Sequence, residues 1–246
     1  MTVGMAAGDL EPQTDGTLAC LKRHMAEQGV DGFVALNIAT NPHKMRPVND
    51  FAEQISASGA LCFGFGSVHP DAPDVMEELE YIHSIGLKGV KLHPDYQQFF
   101  VDEERMKPIY KKIAELGLIT LFHAGEDYGY PAPYHAMPQE MEKALSWFDG
   151  APVIAAHWGG VGCAEEVIKR LCGLPLYFDT SMGYFMLSRP YAEQILERHG
   201  LEKMLFASDS PWHTPQMELR LLRSLGLTEE ELDVICYQNA ARLLQL

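Results

Sequence analysis

Short apolar runs alternate along this chain with amphipathic segments of helical period, and this alternation restricts the fold more than any other feature. The strand ends recur about every 30 residues, which is the length of one strand–helix unit. Buried strands that alternate with helices predict a parallel sheet covered by helices. The predicted strands are 32–38, 61–68, 87–92, 118–122, 152–156, 175–179 and 203–207.

An incomplete (β/α)₈ barrel fits this pattern better than an open sheet. Seven strand–helix units are one short of a closed barrel, and polar residues gather at the strand C-termini, where such a barrel keeps its active site. An open doubly wound sheet would instead bind its ligand through a glycine-rich loop after the first strand, and the sequence has none there. We therefore predict a single α/β domain over residues 1–246, a TIM barrel whose first strand is missing.

Composition excludes several classes of partner. A net charge of −15 argues against binding to nucleic acid or to an anionic membrane. No apolar run approaches the ~20 residues of a membrane-spanning helix, and the opening residues have no signal-peptide pattern. The five cysteines are scattered and form no CxxC pair, which is typical of reduced thiols. We expect a cytoplasmic protein that acts on a small molecule.

Five polar residues fall on the side of the predicted strands that faces the barrel axis. Side chains alternate along a strand, so Lys91 and His93 share one face, and His123, His157 and Asp209 take the equivalent positions at three other strand ends. Ser67 and Asp179 end two further strands. The apolar neighbours on the opposite face are expected to pack outward against helices; these are Val90, Leu92, Phe122 and Phe206.

Histidine and aspartate at neighbouring strand ends are a donor set for Zn²⁺ or a similar divalent ion. Such an ion lowers the pKa of bound water from ~15.7 to about 7. Asp209 would then move a proton to and from the reacting groups. His157, if it is not a ligand, would polarise a carbonyl or stabilise developing negative charge.

Other residues near these strand ends have two interpretations each. Lys91 either binds a substrate carboxylate or pairs with an acid such as Asp179 across the barrel. His93 is either a site residue or a hydrogen-bonded turn histidine. Trp158 and Trp212 either shield the site from water and contact substrate or pack in the ordinary way. We expect most of the histidines in helices and loops to be solvated, namely His24, His43, His83, His135, His199 and His213.

These residues stand in motifs that resemble the amidohydrolase superfamily. The resemblance is to its branch of predicted metal-dependent hydrolases of the TIM-barrel fold, which includes carboxymuconate-semialdehyde-type decarboxylases. The matching stretches, in order, are "GLKGVKLHPDYQQFF", "LITLFHAGED", "PVIAAHWGG", "LYFDTSMG", "MLFASDSPW" and "NAARLLQL".

The resemblance assigns roles to several of these positions. It implies that His123 is the metal ligand of the fifth barrel strand and that Asp209 is the ligand and proton shuttle of the eighth. It implies that His157 is a second ligand or an electrophile. The place of the fourth strand falls at Lys91 or His93, and the resemblance does not decide between them.

The chain departs from this family in having no HxH motif, which supplies two metal ligands at the end of the first barrel strand. The residues before the predicted first helix look like the segment that follows the missing strand. We expect an N-terminal truncation, with a homodimer as one consequence. The alternatives are a degenerate member that has lost its metal, or a gap filled by the opening residues or a neighbouring subunit.

Three functions follow from these observations. The first is a metal-dependent hydrolase that acts on an amide, ester or lactone of a small carboxylated molecule, with zinc as the expected metal. The second is a non-oxidative decarboxylase that uses the same site. The third is a catalytically inactive barrel that binds a small molecule or a partner protein. A phosphate-binding barrel is disfavoured because the loops after the last two strands are poor in glycine.

Overall fold

The strands of the computed structural model, which describes residues 11–246, are all parallel. Each lies inside one of the predicted runs and is shorter than it. The predicted parallel α/β fold is therefore confirmed. The strands are β1 (Phe33–Leu36), β2 (Cys62–Phe65), β3 (Gly89–Leu92), β4 (Ile119–Phe122), β5 (Val153–Ala155), β6 (Tyr177–Asp179) and β7 (Met204–Leu205).

Helices connect the strands and cover the outside of the sheet. The helix over Glu229–Asp233 begins with a capping box, in which Thr228 and Glu231 each bond the other's backbone N–H. The helices are α1 (Leu18–Glu27), α2 (Met45–Ser56), α3 (Val75–Ser84), α4 (Pro94–Gln97), α5 (Lys107–Glu115), α6 (Pro138–Leu145), α7 (Ala164–Arg170), α8 (Gly183–Met186), α9 (Arg189–His199), α10 (Pro215–Ser224), α11 (Glu229–Asp233) and α12 (Asn239–Leu244).

The strands follow one another around the sheet in chain order. β1 pairs with β2, and β3 to β7 pair consecutively. Gly66 joins the two groups, because its N–H donates to Gly89 O at 2.9 Å and its carbonyl accepts from Lys91 N at 2.8 Å. Within residues 11–246, no strand lies between β7 and β1. The sheet is therefore an open barrel in the part of the chain that the structure describes.

Helix α1 lies beside this opening. Leu18 and Met25 of α1 line the same cavity as the residues of β1 and as Leu205 of β7. The segment before α1 reaches the far side of the opening, where Gln13 N donates to Pro211 O at 2.6 Å. The prediction of a missing first strand also involves residues 1–10, which lie outside the described residues.

The core has two layers, as the alternation along the strands requires. An outer layer between sheet and helices contains Val90, Leu92 and Phe122, with Phe206 packed against it. An inner layer fills the barrel and contains Leu121 and other residues of the opposite face. The predicted inward and outward faces are therefore confirmed for these strands. The buried inner residues are Phe65, Ile119, Leu121, Ile154, Ala156 and Leu205, with Leu244 of α12 beneath them.

Apolar side chains remain exposed around the first strand. Val34, Phe51 and Leu61 are 37%, 44% and 38% exposed. A homodimer that covers them stays a prediction. Within residues 11–246, no helix has the length and apolar character needed to cross a membrane.

Candidate active site

A cavity of 640 Å³ lies at the C-terminal ends of the strands. It extends from the barrel axis to the opening between β1 and β7. The five polar residues predicted to face the axis all line it: Lys91, His93, His123, His157 and Asp209. Asp127, Asp179 and Trp212 line the same cavity. The sequence-predicted strand ends therefore converge on one site.

His93 and His123 occupy equivalent positions on adjacent strands. The parallel register pairs Leu92 with Phe122, so each histidine is the first residue after its strand. The N–H of His123 donates to Leu92 O at 3.1 Å, which continues the ladder to the end of the sheet. The two rings stack with 4.3 Å between centroids and 7° between planes.

Asp127 completes a group of three residues that can hold a metal ion. Its Oδ2 lies 3.3 Å from His93 Nε2 and 3.9 Å from His123 Nε2. The three donor atoms all lie within 4.8 Å of one another, and the three residues are buried. Gly129 N donates to the other oxygen, Oδ1, at 2.7 Å and so orients the carboxylate. We call His93, His123 and Asp127 the metal cluster.

Sequence reasoning missed Asp127. It is not at a strand end but in the loop, four residues after His123, in the stretch "HAGED". The alternation of side chains along a strand does not extend into a loop, so it gave no direction for this carboxylate. The available signal was the pair of acids directly behind a strand-end histidine.

Burial keeps the histidines of the site neutral. It lowers the pKa of His93 and of His123 well below the usual value, and the neighbouring basic groups of the site lower it further. Burial also lowers the pKa of His157 to about 3. Metal ligands must be unprotonated at the donor atom, and neutral imidazoles at pH 7 meet that condition.

The carboxylates and the lysine are shifted toward neutral forms by the same burial. It raises the pKa of Asp127 and of Asp209 to about 6. It lowers the pKa of Lys91 to about 8, against the attraction of Asp209 and Asp179. Shifts of this size at several groups in one cleft are typical of a functional site.

The side chains of Lys91 and Asp209 line the cavity and have no direct partner within residues 11–246. Among the described residues, Lys91 makes no ion pair with Asp179 or any other acid, and the Asp209 carboxylate accepts no hydrogen bond. Asp209 has a φ of 61°, the left-handed conformation that is uncommon for residues other than glycine. Strained residues of this kind concentrate at active sites, where surrounding contacts hold them.

His157 and Trp158 also adopt left-handed conformations, with φ of 60° and 57°. Asp179 holds both residues: its Oδ1 accepts from His157 N at 2.9 Å and its backbone carbonyl accepts from Trp158 N at 2.7 Å. The strained turn after β5 is thus fixed by the end of β6. Its result is that the His157 ring points back toward His123, with His157 Nε2 3.0 Å from His123 Nδ1.

The two tryptophans differ. Trp158 lies in the outer core, and its indole N–H donates to Thr180 O at 2.9 Å. It borders a second cavity of 510 Å³ between the loops after β5 and β6. Trp212 is partly exposed and lines the main cavity. The predicted contact of Trp158 with substrate stays a prediction, as does that of Trp212.

Two of the loop and helix histidines are buried, and the expectation that they are solvated is wrong for them. His213 lies 2.6 Å from Glu218 Oε1, and both residues are buried. His199 stacks on Phe178 with 3.8 Å between ring centroids. The partner of His199 is distant in sequence, and the partner of His213 lies on the first turn of the following helix. These partners account for the burial of the two rings.

Comparison with known sequences identifies one family. The sequence model of the amidohydrolase family matches residues 4–246. No curated protein matches the chain.

Solved structures share the fold at low sequence identity. A TIM-barrel protein from Bordetella bronchiseptica is 18% identical, with a TM-score of 0.74 over 93% of this chain and 83% of that one. A dihydroxybenzoic acid decarboxylase from Polaromonas, with bound manganese and the inhibitor 2-nitroresorcinol, is 16% identical, with a TM-score of 0.67 over 94% and 86%. A proposed 2-pyrone-4,6-dicarboxylic acid hydrolase from Pseudomonas putida is 14% identical, with a TM-score of 0.69 over 94% and 88%. At these identities the likeness shows the TIM-barrel fold.

Proposed function

The chain belongs to the amidohydrolase family, and we propose that it is a metal-dependent hydrolase of a small carboxylated molecule. The bond that it cleaves would be an amide, an ester or a lactone. The observation that carries this proposal is the metal cluster, which lies in the same cavity as the Lys91 ammonium and the Asp209 carboxylate. Together they provide an ion site, an anion-binding group and a base.

The donor chemistry of the cluster suits a divalent metal. Two neutral imidazoles and one carboxylate form a set that catalytic zinc sites use, so we propose zinc as the metal. His93 must change one contact to take part, because its Nδ1 now accepts a long hydrogen bond of 3.4 Å from Tyr96 N. A divalent ion held there would supply Lewis-acid activation of water and of the substrate.

Lys91 would bind the carboxylate of the substrate. It is 6% exposed, its Nζ lacks an ion-pair partner among the described residues, and its pKa of about 8 leaves most of it charged at pH 7. A buried cation without a partner is costly, and a carboxylate that enters the cavity would relieve that cost. This supports an anionic substrate even though the protein as a whole is strongly acidic.

Asp209 would move the proton in the reaction. Its carboxylate accepts no hydrogen bond from the described residues, and its pKa of about 6 is near the working pH that favours a general base. His157 contacts His123, and we propose that it supports the metal cluster and lines the cavity wall.

A decarboxylase is the second candidate. The Polaromonas relative is a decarboxylase of an aromatic acid, and the aromatic wall of the cavity here, with Tyr96 and Tyr128, suits a ring. Lys91 would then hold the carboxylate that leaves as CO₂, and Asp209 would return a proton to the ring carbon. The same residues thus serve either reaction.

The first experiment measures metal content and product together. Purified wild-type protein loaded with zinc or manganese is assayed by mass spectrometry for bound metal and then offered aromatic acids, lactones and N-acyl amino acids. Release of CO₂ would support the decarboxylase, and release of a new carboxylate without CO₂ would support the hydrolase. A protein that binds neither metal would contradict both and favour the inactive barrel.

The setting of the enzyme is also a proposal. None of the five cysteines is in a disulfide, which supports a reducing compartment such as the cytoplasm.

A further inference from the structure

Four buried side chains form one line of contacts that ends at the metal cluster. Asp179 Oδ1 lies 2.5 Å from Ser181 Oγ, Ser181 Oγ lies 2.8 Å from His157 Nδ1, and His157 Nε2 lies 3.0 Å from His123 Nδ1. All four residues are 8% exposed or less. A hydroxyl group and an imidazole nitrogen can each donate or accept a hydrogen bond. The direction of each bond in this line therefore has to be derived.

The direction is set at Asp179. Its Oδ1 accepts from two backbone groups, His157 N at 2.9 Å and Ser181 N at 3.0 Å. Burial raises the pKa of Asp179 and these two bonds lower it, and an oxygen that already accepts two N–H bonds acts as an acceptor toward the serine as well. The short contact with Ser181 Oγ therefore takes its hydrogen from the serine hydroxyl.

The remaining directions follow from the number of hydrogens that each group carries. Because the Ser181 hydroxyl donates to Asp179, its oxygen accepts from His157, which places a hydrogen on His157 Nδ1. A neutral imidazole carries one ring N–H, so His157 Nε2 has a lone pair and accepts from His123 Nδ1. The second nitrogen of His123, Nε2, is then left without a hydrogen.

His123 Nε2 faces other acceptors. It lies 3.1 Å from the backbone carbonyl of Glu126 and 3.9 Å from Asp127 Oδ2. Lone pairs that converge in this way repel one another unless a cation lies between them. The bond direction derived at Asp179 thus leaves His123 Nε2 with a free lone pair, which is what a metal ligand requires.

We infer that Asp179 and Ser181 are positioning residues that fix the tautomers of His157 and His123 and so present His123 Nε2 to a divalent cation. The link to a metal rests on the proposed function, whereas the tautomers themselves do not. In this arrangement His157 Nε2 is occupied by His123, so His157 acts through His123.

The opposite arrangement makes a distinct prediction. If His123 Nε2 carried the hydrogen and donated to the Glu126 carbonyl, every bond in the line would reverse. Ser181 would donate to His157 Nδ1, and the 2.5 Å contact with Asp179 would need a proton on that carboxyl. Both histidines would then be protonated at Nε2 instead of Nδ1.

The test is nitrogen NMR on the full chain labelled with ¹⁵N-histidine, kept metal-free with a chelator. Long-range proton–nitrogen correlations distinguish the ring nitrogen that carries a hydrogen, and single His→Gln variants assign the signals. The expected result is Nδ1–H with a bare Nε2 for both His123 and His157. Nε2–H at either residue would overturn the inference, whatever the activity of the protein.

Variants of Ser181 test the positioning role. Ser181→Ala should leave His157 as a mixture of tautomers, and Ser181→Thr, which keeps the hydroxyl, should restore the wild-type pattern. Ser188→Ala is the matched control, because this exposed serine lies in the same connection between β6 and α9 and makes no side-chain cap. An unchanged spectrum in folded Ser181→Ala would overturn the role. If Ser181→Ala does not fold, Ser181→Thr with wild-type tautomers supports it, and Ser181→Thr with altered tautomers contradicts it.

Metal binding is measured separately by titrating Zn²⁺ alone into the same proteins. Loss of the group that bonds a metal-bound histidine weakens affinity by roughly 10- to 100-fold, and because Ser181 acts on His123 through His157, we expect Ser181→Ala to weaken zinc binding by up to that range. If the tautomers are as predicted but the protein binds no zinc, the inference on positioning stands and the proposed function is contradicted. Equal zinc affinity in wild type and Ser181→Ala would contradict the link between the serine and the metal.

Discussion

His93 and His123 lie face to face at the ends of neighbouring parallel strands, with 4.3 Å between ring centroids and 7° between ring planes. Two positively charged rings would repel each other strongly at this separation, so the stack requires at least one neutral ring. Burial lowers the pKa of both well below the usual value. The stack with Asp127 beside it therefore presents neutral nitrogen donors next to an anionic oxygen.

The first prediction concerns Asp127. Asp127→Asn removes the anionic donor of the metal cluster but keeps its size. Changes to outer partners alone cost roughly 10- to 100-fold in metal affinity, so we expect the loss of this direct ligand to exceed about 100-fold. The measurement is zinc titration by calorimetry.

Asp74→Asn serves as the control, because this exposed carboxylate precedes α3 and makes no side-chain cap. It should bind zinc like the wild type. If Asp127→Asn also binds zinc like the wild type, the metal is held elsewhere. The contacts among His93, His123 and Asp127 would then have a structural role only.

The second prediction separates metal binding from proton transfer at Asp209. General acid–base groups contribute about 10²- to 10⁴-fold, so Asp209→Asn should lower kcat by that range. Zinc content should stay near the wild-type level, because the Asp209 carboxylate is not among the three donors that converge. Steady-state kinetics and metal analysis of the same sample test both points.

Loss of zinc together with activity in Asp209→Asn would have a clear meaning. Asp209 would then be a metal ligand, as its motif "MLFASDSPW" implies by resemblance. The metal would lie nearer to β7 than to the pair of stacked histidines.

The third prediction is a pH dependence that arises from Lys91. Burial lowers its pKa from 10.5 to about 8, so the ammonium is charged below pH 8 and loses its charge above it. Binding of a carboxylate substrate should therefore weaken as the pH rises through 8, and KM should rise. A bound divalent cation lowers this pKa further, so the metal-loaded enzyme should show the change at or below pH 8.

Two variants of Lys91 check this dependence. Lys91→Met should raise KM at neutral pH and remove the rise of KM on the alkaline side. Lys91→Arg keeps its charge throughout and should move that rise to a higher pH. A KM profile that is the same in wild type and Lys91→Met would show that another group binds the substrate carboxylate.

The strand periodicity was sufficient to predict the inward positions of Lys91, His93 and His123, because side chains alternate strictly along a buried strand. A one-residue error in the pattern would have turned all three outward. The parallel register between β3 and β4 then places His93 beside His123. This part of the site follows directly from the sequence.

The rest depends on contacts that periodicity does not describe. Asp127 returns to the site through a loop, and Ser181 reaches His157 from two residues beyond the end of β6. His213 is buried because Glu218, on the first turn of α10, bonds its ring. Such positions are decided by loop conformation and by partners on other elements, which leave no repeating pattern in the chain.

The fourth prediction tests the close approach of α2 to β2 at Gly64. A Cβ built at Gly64 would lie 2.1 Å from the backbone carbonyl oxygen of Ala52, far inside contact distance. Backbone cannot move aside as a flexible side chain does, and Gly64 is also held by its N–H, which donates to Ser56 Oγ at 2.9 Å. Gly64→Ala should therefore push α2 away from the sheet and lower the free energy of unfolding by about 1–3 kcal/mol.

Gly59→Ala is the matched control, because a Cβ at exposed Gly59 would meet only the Cys62 Sγ, at 2.9 Å, and then nothing closer than 3.9 Å. A side-chain sulfur can rotate away, so this variant should unfold near the wild-type denaturant concentration. Urea unfolding followed by circular dichroism measures both variants, and the slope of the transition shows whether they unfold to the same extent. Equal midpoints for Gly64→Ala and wild type would mean that α2 is not held against β2. The side of the barrel next to the opening would then be free to move, and so would the wall of the cavity that β1 forms.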